Sequence, residues 1–137
     1  MNKIQIVGGS GFVGSFLIKE LYNHSISNLD KNPSPFYNEI TTIGDIRHLN
    51  QIHIPVGTTF LILLAAEHRD DISPISTYYD VNVKGTKNVL DAMDKAGVKN
   101  IVFTSSVAIY GLNKKKPNEN HSEDPFNHYG KSKWEAE

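Results

Sequence analysis

The sequence predicts an α/β fold with a doubly wound parallel sheet, and three features support this fold class. Short β-branched or apolar runs alternate along the chain with segments whose apolar residues recur at helical spacing. Glycines follow the first run at once, where a strand of this class turns sharply into a helix. The fourth run is apolar throughout, as expected for a strand that is covered on both faces.

Five strands are predicted, and we expect them in the spatial order 3-2-1-4-5 within one domain that spans residues 1–137. Their β-branched and apolar residues place them at residues 3–7, 26–29, 39–43, 58–64 and 101–104. The second strand runs up to Asp30, and Pro33 and Pro35 break the chain soon after it. The third is followed by a Gly-Asp pair at residues 44–45.

Helices are predicted between these strands, where apolar residues recur three or four positions apart. The first helix presents on one face Val13, Phe16, Leu17 and Leu21. A later helix presents Val89, Leu90 and Met93, and Gly97 ends it because glycine readily takes the left-handed conformation of a helix terminus. A last helix is predicted to open after residues 125–127.

Composition and charge exclude several classes of function. The formal net charge is -1, from 14 basic and 15 acidic residues, so bulk charge indicates neither a nucleic acid nor a membrane partner. The basic run at residues 114–116 is interpreted as a solvated loop. The chain has no cysteine, which excludes disulfides and thiolate sites and is typical of a cytoplasmic protein. No metal site is predicted, because the six histidines form no helical pair of metal-binding spacing.

The residues between the first strand and the first helix carry a glycine pattern that suits phosphate binding. The segment at residues 7–14 reads VGGSGFVG. Glycines let the backbone turn sharply and approach a diphosphate, and the helix that follows offers free N–H donors. Read from Gly9 the loop fits G-x-G-x-x-G, and read from Gly8 it fits G-x-x-G-x-x-G; the spacing leaves both open.

An acidic residue, Asp30, follows this loop at the distance expected for a dinucleotide site. A carboxylate there accepts hydrogen bonds from both hydroxyls of an adenosine ribose and repels the 2′-phosphate of NADP. The sequence therefore favours NAD. The neighbouring Lys31 leaves NADP as the alternative, and an aspartate in a solvated turn is the other interpretation.

Three groups near the end of the chain suit acid–base chemistry. Tyr129 and Lys133 are four residues apart, so on a helix they share a face, where a lysine ammonium favours the phenolate form of a tyrosine. A surface helix pair is the alternative interpretation. The hydroxyl residues 104–106 follow the fifth strand, at the edge where open parallel sheets bind ligands.

Six segments in order resemble motifs of the extended short-chain dehydrogenase/reductase family, the NAD-dependent epimerase/dehydratase group, and together they cover essentially the whole chain. The glycine loop is similar to T-G-G-x-G-F-I-G, with Val7 in place of threonine. The other five segments are GDIR at 44–47, LAAEH at 64–68, NVKGT at 82–86, FTSSVAIYG at 103–111 and YGKSKWEAE at 129–137. Leu63 stands where the family usually has histidine.

The resemblance implies a Rossmann-like fold and a set of site residues. The catalytic residues it implies are Ser106, Tyr129 and Lys133. The NAD-binding residues it implies are Gly8, Gly11, Phe12, Val13, Gly14, Asp30, Asp45, Ile46, Leu64, Ala65, Ala66, Asn82, Thr104, Tyr129 and Lys133. The tyrosine would take a proton from a sugar hydroxyl while hydride leaves the same carbon for the nicotinamide, and the serine would hold that oxygen.

Within the family, the sequence favours a nucleotide-sugar epimerase of the UDP-hexose 4-epimerase type. Dehydratases of the family carry Asp-Glu directly after the catalytic hydroxyl, whereas Val107-Ala108 stand here. A dehydratase or reductase, an NAD-binding module without catalysis and a plain interaction protein are the alternatives. Family members are much longer and end in a part that binds the sugar nucleotide. We therefore expect that C-terminal domain to be absent and the chain alone to be poorly active.

The resemblance also implies partners for the chain. The substrate is expected to be a nucleotide sugar, most simply a UDP-linked hexose, and the location to be cytoplasmic. Relatives pair through the two helices that correspond to those holding Asn82 and Tyr129, so a homodimer is the implied assembly.

Overall fold

A computed structural model describes all residues of the chain, 1–137, and shows a five-stranded sheet. The strands are β1 (Lys3–Val7), β2 (Ser25–Asp30), β3 (Thr41–Ile43), β4 (Phe60–Leu63) and β5 (Ile101–Phe103). They lie in the order β3-β2-β1-β4-β5, and every neighbouring pair is parallel. The predicted α/β class and strand order are therefore confirmed.

α-Helices follow β1, β4 and β5, whereas the connections after β2 and β3 contain only short 3-10 turns. The α-helices are α1 (Phe12–Glu20), α2 (Ser76–Tyr79), α3 (Thr86–Ala96) and α4 (His128–Ala136), with a π-helical segment (Asp80–Gly85) joining α2 to α3. Gly97 ends α3 with φ 71, as the sequence predicted. The side chain of Asn127 accepts the Gly130 N–H at 2.7 Å and so fixes the start of α4. None of the helices has the length and apolar character needed to cross a membrane.

Two strands, β3 and β4, begin two residues later than the sequence predicted, and local turns precede both. The backbone before β3 forms a 3-10 turn (Asn38–Ile40), closed by the hydroxyl of Thr41, which donates to the Tyr37 carbonyl at 2.7 Å. Before β4, the hydroxyl and the N–H of Thr58 both donate to the Pro55 carbonyl, at 2.7 and 3.1 Å. These bonds place residues 39–40 and residue 58 in turns that precede the two strands.

Apolar side chains are buried on both faces of the sheet. On one face, strand residues such as Leu61 and Leu63 pack with Val89 and Met93 of α3. A smaller cluster joins Ile4, Ile6 and Ile18, the last of them from α1. Fully burying such a side chain stabilises the fold by roughly 1.5–3 kcal/mol. With helices on both faces, the open side of the sheet is its carboxyl edge, and the loops that follow the strands meet there.

Candidate functional site

A cleft of about 590 Å³ runs along the carboxyl edge of the sheet. Its walls come from the loops after all five strands and from α4. The predicted cofactor-binding residues that line it are Gly8, Gly11, Phe12, Val13, Gly14, Asp30, Asp45, Ile46, Leu64, Ala65, Ala66, Thr104, Tyr129 and Lys133. The topology therefore brings together groups that are more than 100 residues apart in sequence.

The glycine loop lies at the centre of this cleft, and its tight packing requires glycine. Gly8 has φ +93, and a Cβ there would lie 2.4 Å from the backbone nitrogen of Ala65 after β4. A Cβ on Gly14 would lie 2.4 Å from the Cα of Gly9, because the first turn of α1 packs directly on the loop. Together with Gly11 as the N-cap, these positions match the pattern read from Gly8.

The N–H groups of the loop divide into two sets. The first set donates to β2. The Gly8 N–H donates to the Leu29 carbonyl at 2.8 Å, and the Gly9 N–H donates to Asn28 Oδ1 at 2.8 Å. The Ser10 N–H donates to Asp30 Oδ2 at 3.0 Å. The helical bonds of α1, by contrast, begin only with the Ser15 N–H, which donates to the Gly11 carbonyl at 3.0 Å.

The N–H groups of Phe12, Val13 and Gly14 are therefore left free, as at any helix start. No side chain caps this helix, and no acidic residue lies in its first turn. Free donors and the partial positive charge of the helix start make this turn a site that fits a diphosphate.

Asp30 is held at the rim of the cleft next to the loop. Its Oδ2 accepts the Ser10 N–H at 3.0 Å, and its Oδ1 accepts the Asn32 N–H at 2.9 Å. Each carboxylate oxygen keeps lone-pair capacity for a further donor, and the contact of Asp30 with a pair of ribose hydroxyls stays a prediction. Lys31 lines the same part of the cleft.

A second carboxylate, Asp45 after β3, is fixed by an arginine that the sequence analysis did not select. The Arg47 guanidinium donates through Nε to both oxygens, at 3.1 and 2.9 Å, and its backbone N–H donates to Oδ1 at 2.9 Å. These hydrogen bonds hold the pKa of Asp45 below its usual range, against the opposing effect of partial burial. The carboxylate is thus a rigid, ionised acceptor in the cleft.

Tyr129 and Lys133 lie in the first two turns of α4, on one face of the helix as their spacing predicted, and both line the cleft. Lys133 is 2% exposed, and its ammonium lies 4.3 Å from the centroid of the Phe103 ring. Burial lowers the pKa of Lys133 to about 8, which the more distant Glu137 carboxylate only partly opposes. An ammonium held so near neutrality can exchange a proton during a reaction.

The hydroxyl residues after β5 are divided between the cleft and the backbone. Thr104 Oγ1 donates to the Leu63 carbonyl at 3.0 Å, and Ser105 lines the cleft beside it. Ser106 lies next to the lining: its Oγ accepts the Ala108 N–H at 3.2 Å and caps a short 3-10 turn (Val107–Tyr110). The catalytic role of Ser106 stays a prediction, and Ser105 is a hydroxyl that the motif contained but did not single out.

Asn82 does not line the cleft, in contrast to the other predicted cofactor ligands. It is 1% exposed, and its Oδ1 accepts the Glu67 N–H at 2.8 Å. Its Nδ2 donates to the Glu67 carbonyl at 2.9 Å and to Ser132 Oγ at 2.8 Å. The amide therefore ties the loop after β4 to the helix that carries Tyr129. A contact between Asn82 and a cofactor stays a prediction.

The loop after β4 contributes polar side chains that the sequence analysis left out of the site. Glu67, His68 and Arg69 line the cleft. Burial by itself raises the pKa of Glu67. The hydrogen bonds that the carboxylate accepts from the side chain and the backbone N–H of Arg69 have the opposite effect, and together with the Arg69 charge they leave the pKa below its usual value. These residues directly follow the recognised alanines, but sequence spacing cannot say which side of an irregular loop faces a cleft.

Several known proteins are similar to this chain in sequence or in fold. The chain is 59% identical over 138 residues to an N-acetyl-alpha-D-glucosaminyl-diphospho-ditrans,octacis-undecaprenol 4-epimerase of Escherichia coli O157:H7, covering 99% of this chain and 42% of that protein. It is 32% identical over 148 residues to a UDP-glucose 4-epimerase of Rhizobium meliloti (strain 1021), covering 99% of this chain and 45% of that protein.

Solved structures agree with these sequence relatives. The crystal structure of a UDP-glucose 4-epimerase from Brucella ovis in complex with NAD is similar with a TM-score of 0.85 and 27% identity. The match covers 99% of this chain and 46% of that one. The chain thus spans less than half the length of each of these three relatives. The sequence profile described as the NAD dependent epimerase/dehydratase family matches residues 4–137, and the chain belongs to that family.

Proposed function

We propose that the chain binds NAD and supplies the acid–base residues of a 4-epimerase that acts on a sugar joined to a diphosphate. The observation that carries this proposal is that Tyr129 and Lys133 line the same cleft as the glycine loop and Asp30. A dinucleotide lying along that cleft can bind at its phosphates and its adenosine ribose while a substrate reaches the tyrosine.

The cofactor part of the proposal is supported by the donors and acceptors at the sheet edge. The free N–H groups of the first turn of α1 suit the diphosphate, and Asp30 suits the adenosine ribose hydroxyls. The fixed carboxylate of Asp45 can accept a hydrogen bond from the adenine amino group. Bound NAD would supply reversible hydride transfer at a sugar carbon.

The chain's own residues would handle the proton. Tyr129 would take the proton of the sugar hydroxyl on its phenolic oxygen and later return it. The Lys133 ammonium would stabilise the phenolate, and its lowered pKa, about 8, makes its proton easier to release. The hydroxyl of Ser105 or Ser106 would hold the sugar oxygen. Val107 and Ala108 place no acid or base next to these serines, which supports epimerisation over elimination of water.

The relatives support a choice of substrate. Two of them share 4-epimerisation of a sugar on a diphosphate, but the sugar is attached to undecaprenol in the Escherichia coli protein and to uridine in the Rhizobium protein. The identity of 59% to the Escherichia coli protein, against 32% to the Rhizobium protein, favours the undecaprenol-linked sugar. We therefore propose N-acetylglucosamine on a polyprenyl diphosphate as the substrate, and the UDP-linked hexose expected from the sequence as the alternative.

Cofactor binding is tested with the chain itself. NAD should raise the melting temperature at concentrations where NADP does not, because a ligand that binds only the folded state stabilises it. A melting temperature that does not change when NAD is added would contradict the cofactor part of the proposal.

The activity is tested in a chimera, in which residues 1–137 replace the matching part of the Escherichia coli relative. The chimera is assayed with undecaprenyl-diphosphate-linked N-acetylglucosamine and, separately, with UDP-N-acetylglucosamine and UDP-glucose, and the released sugars are separated by chromatography. Conversion of the lipid-linked sugar supports the proposed substrate, and conversion of the UDP sugars alone supports the alternative. A chimera that binds NAD but converts none of them would contradict the proposed activity. Tyr129→Phe is the matched inactive control, since it keeps the ring and removes the hydroxyl.

A further inference from the structure

A buried amide lies under the glycine loop and has no assigned function. Asn28 is the fourth residue of β2 and is 1% exposed. A parallel strand covered on both faces usually carries apolar residues at such a position. A buried amide also needs partners for its donors and its acceptor, so its presence here calls for a reason.

The partners of Asn28 connect the glycine loop to the first residue of β3. Its Oδ1 accepts the Gly9 N–H at 2.8 Å, and its Nδ2 donates to Ser10 Oγ at 3.2 Å and to Thr41 Oγ1 at 3.0 Å. The Thr41 hydroxyl in turn donates to the Tyr37 carbonyl at 2.7 Å. One side chain thus fixes two consecutive residues of the loop against a neighbouring strand.

The amide also fills the space beside Gly9. A Cβ built on Gly9 would lie 2.4 Å from Asn28 Oδ1, so the loop backbone rests directly on the amide. Because the Gly9 N–H is directed into the sheet, it cannot face a ligand in the cleft. The donors left for a diphosphate are the N–H groups of Gly11, Phe12, Val13 and Gly14, further along the loop and in the first turn of α1.

We propose that Asn28 is a positioning residue for the diphosphate of the cofactor: it anchors Gly9 and Ser10 so that the first turn of α1 presents its free N–H groups to the cleft. The inference rests on the NAD binding proposed above, but not on the epimerase activity. Without the amide, the buried Gly9 N–H would lose its acceptor and Ser10 Oγ would lose one of its hydrogen bonds, and the loop would have to move to give Gly9 another partner.

The test compares ligands that differ in the diphosphate. Asn28→Leu keeps the size of the side chain and removes its hydrogen bonds. In the 137-residue chain, it should weaken binding of NAD and ADP about tenfold, the size expected for a lost preorganised contact, and change adenosine binding by less than about twofold. Dissociation constants are measured by calorimetry, with displacement of a fluorescent ADP for the weak ligand adenosine.

Gln5→Leu is the matched control. Gln5 is a buried amide, 2% exposed, in the adjacent strand, and it bonds to the Ser27 hydroxyl rather than to the loop. This change should lower the melting temperature and leave the affinity for ADP within about twofold of the unchanged chain. Thr41→Val is a milder variant that removes one partner of Asn28. It should weaken the binding of ADP about threefold and leave the binding of adenosine unaffected. It decides the question if Asn28→Leu fails to fold.

The results separate the possible failures. Asn28→Leu or Thr41→Val chains that bind ADP as the unchanged chain does would overturn the inference and leave the proposed function in place. Equal losses for ADP and adenosine would also overturn it, because they indicate a general structural role. An unchanged chain that binds neither NAD nor ADP would overturn both the inference and the proposed cofactor.

Discussion

The ammonium of Lys133 lies 4.3 Å from the centroid of the Phe103 ring, and the two residues come from α4 and from the last position of β5. Phe103 itself packs against the main core cluster, so the ring is a fixed surface under the lysine. A ring face attracts a cation, whereas burial disfavours the charge. Burial lowers the pKa of Lys133 to about 8, and the attraction of the ring acts in the opposite direction.

Removing the ring should therefore lower the pKa of Lys133 further. Phe103→Leu removes the attraction to the ammonium while it keeps an apolar side chain at the strand end. We expect the titration midpoint of Lys133 to fall below its value in the unchanged chain. The NMR chemical shift of the labelled Cε of Lys133, recorded against pH, gives this midpoint. Phe103→Tyr keeps a ring and should leave the midpoint near its original value. An unchanged midpoint in the leucine variant would show that burial alone sets the pKa.

The burial of Lys133 should also cost stability at neutral pH. A lysine whose pKa is lowered from 10.5 to about 8 binds fewer protons in the folded state than in the unfolded state between those values. The free energy of unfolding therefore rises as pH increases from about 8 to about 10.5, and the destabilisation is fully present below pH 8.

Lys133→Met should accordingly stabilise the chain at pH 7, by up to about 3 kcal/mol, and remove the pH dependence above pH 8. Urea unfolding at pH 7 and pH 10 measures both effects. Lys131→Met is the control, because Lys131 is exposed on the same helix and should change the free energy of unfolding by less than about 0.5 kcal/mol. A methionine variant less stable than the unchanged chain at pH 7 would contradict the prediction.

Discrimination between NAD and NADP should depend on the charge of Asp30. In the unchanged chain, Asp30 Oδ2 accepts the Ser10 N–H at 3.0 Å. Asp30→Asn keeps an oxygen that can accept this hydrogen bond but removes the negative charge. Because that charge repels a 2′-phosphate and Lys31 lies beside it in the cleft, the ratio of NADP to NAD affinity should rise about tenfold. Calorimetric titration with both dinucleotides gives the ratio, and Asp70→Asn, outside the cleft, should leave it unchanged.

The fold was predictable because its signals are local. A β-branched run, a glycine turn and helical spacing each lie within a few neighbouring residues, and the strand order follows from the connections. The bounds of β3 were not predictable, because the hydroxyl of Thr41 closes the turn before that strand. Nothing in a run of β-branched residues shows that a side chain will bond to the preceding backbone.

The site was predictable as a set of segments and less so as individual side chains. Tyr129 and Lys133 share a helix face, as their spacing predicts, and the fold turns that face to the cleft. Arg47 and Asn28 were missed because their roles depend on a partner that only the fold brings close: Asp45 for the arginine and Gly9 for the asparagine. Asn82 shows the converse, since the motif identified the residue and the structure gives its amide protein partners.

The role of Asn82 can be tested through stability. Its amide makes three hydrogen bonds, two with the backbone of Glu67 and one with Ser132 Oγ, all of them buried. Asn82→Ala would leave these groups without partners, so we expect a loss of about 2–3 kcal/mol in the free energy of unfolding, measured in urea.

Ser132→Ala removes only one partner of that amide and should cost about 1 kcal/mol. The double variant should cost less than the sum of the two, because both changes remove the same hydrogen bond at 2.8 Å between α4 and the π-helical segment. Additive losses would show that the two residues act independently. An Asn82→Ala chain of unchanged stability but weakened NAD binding would instead place this amide against the cofactor, as the family resemblance implied.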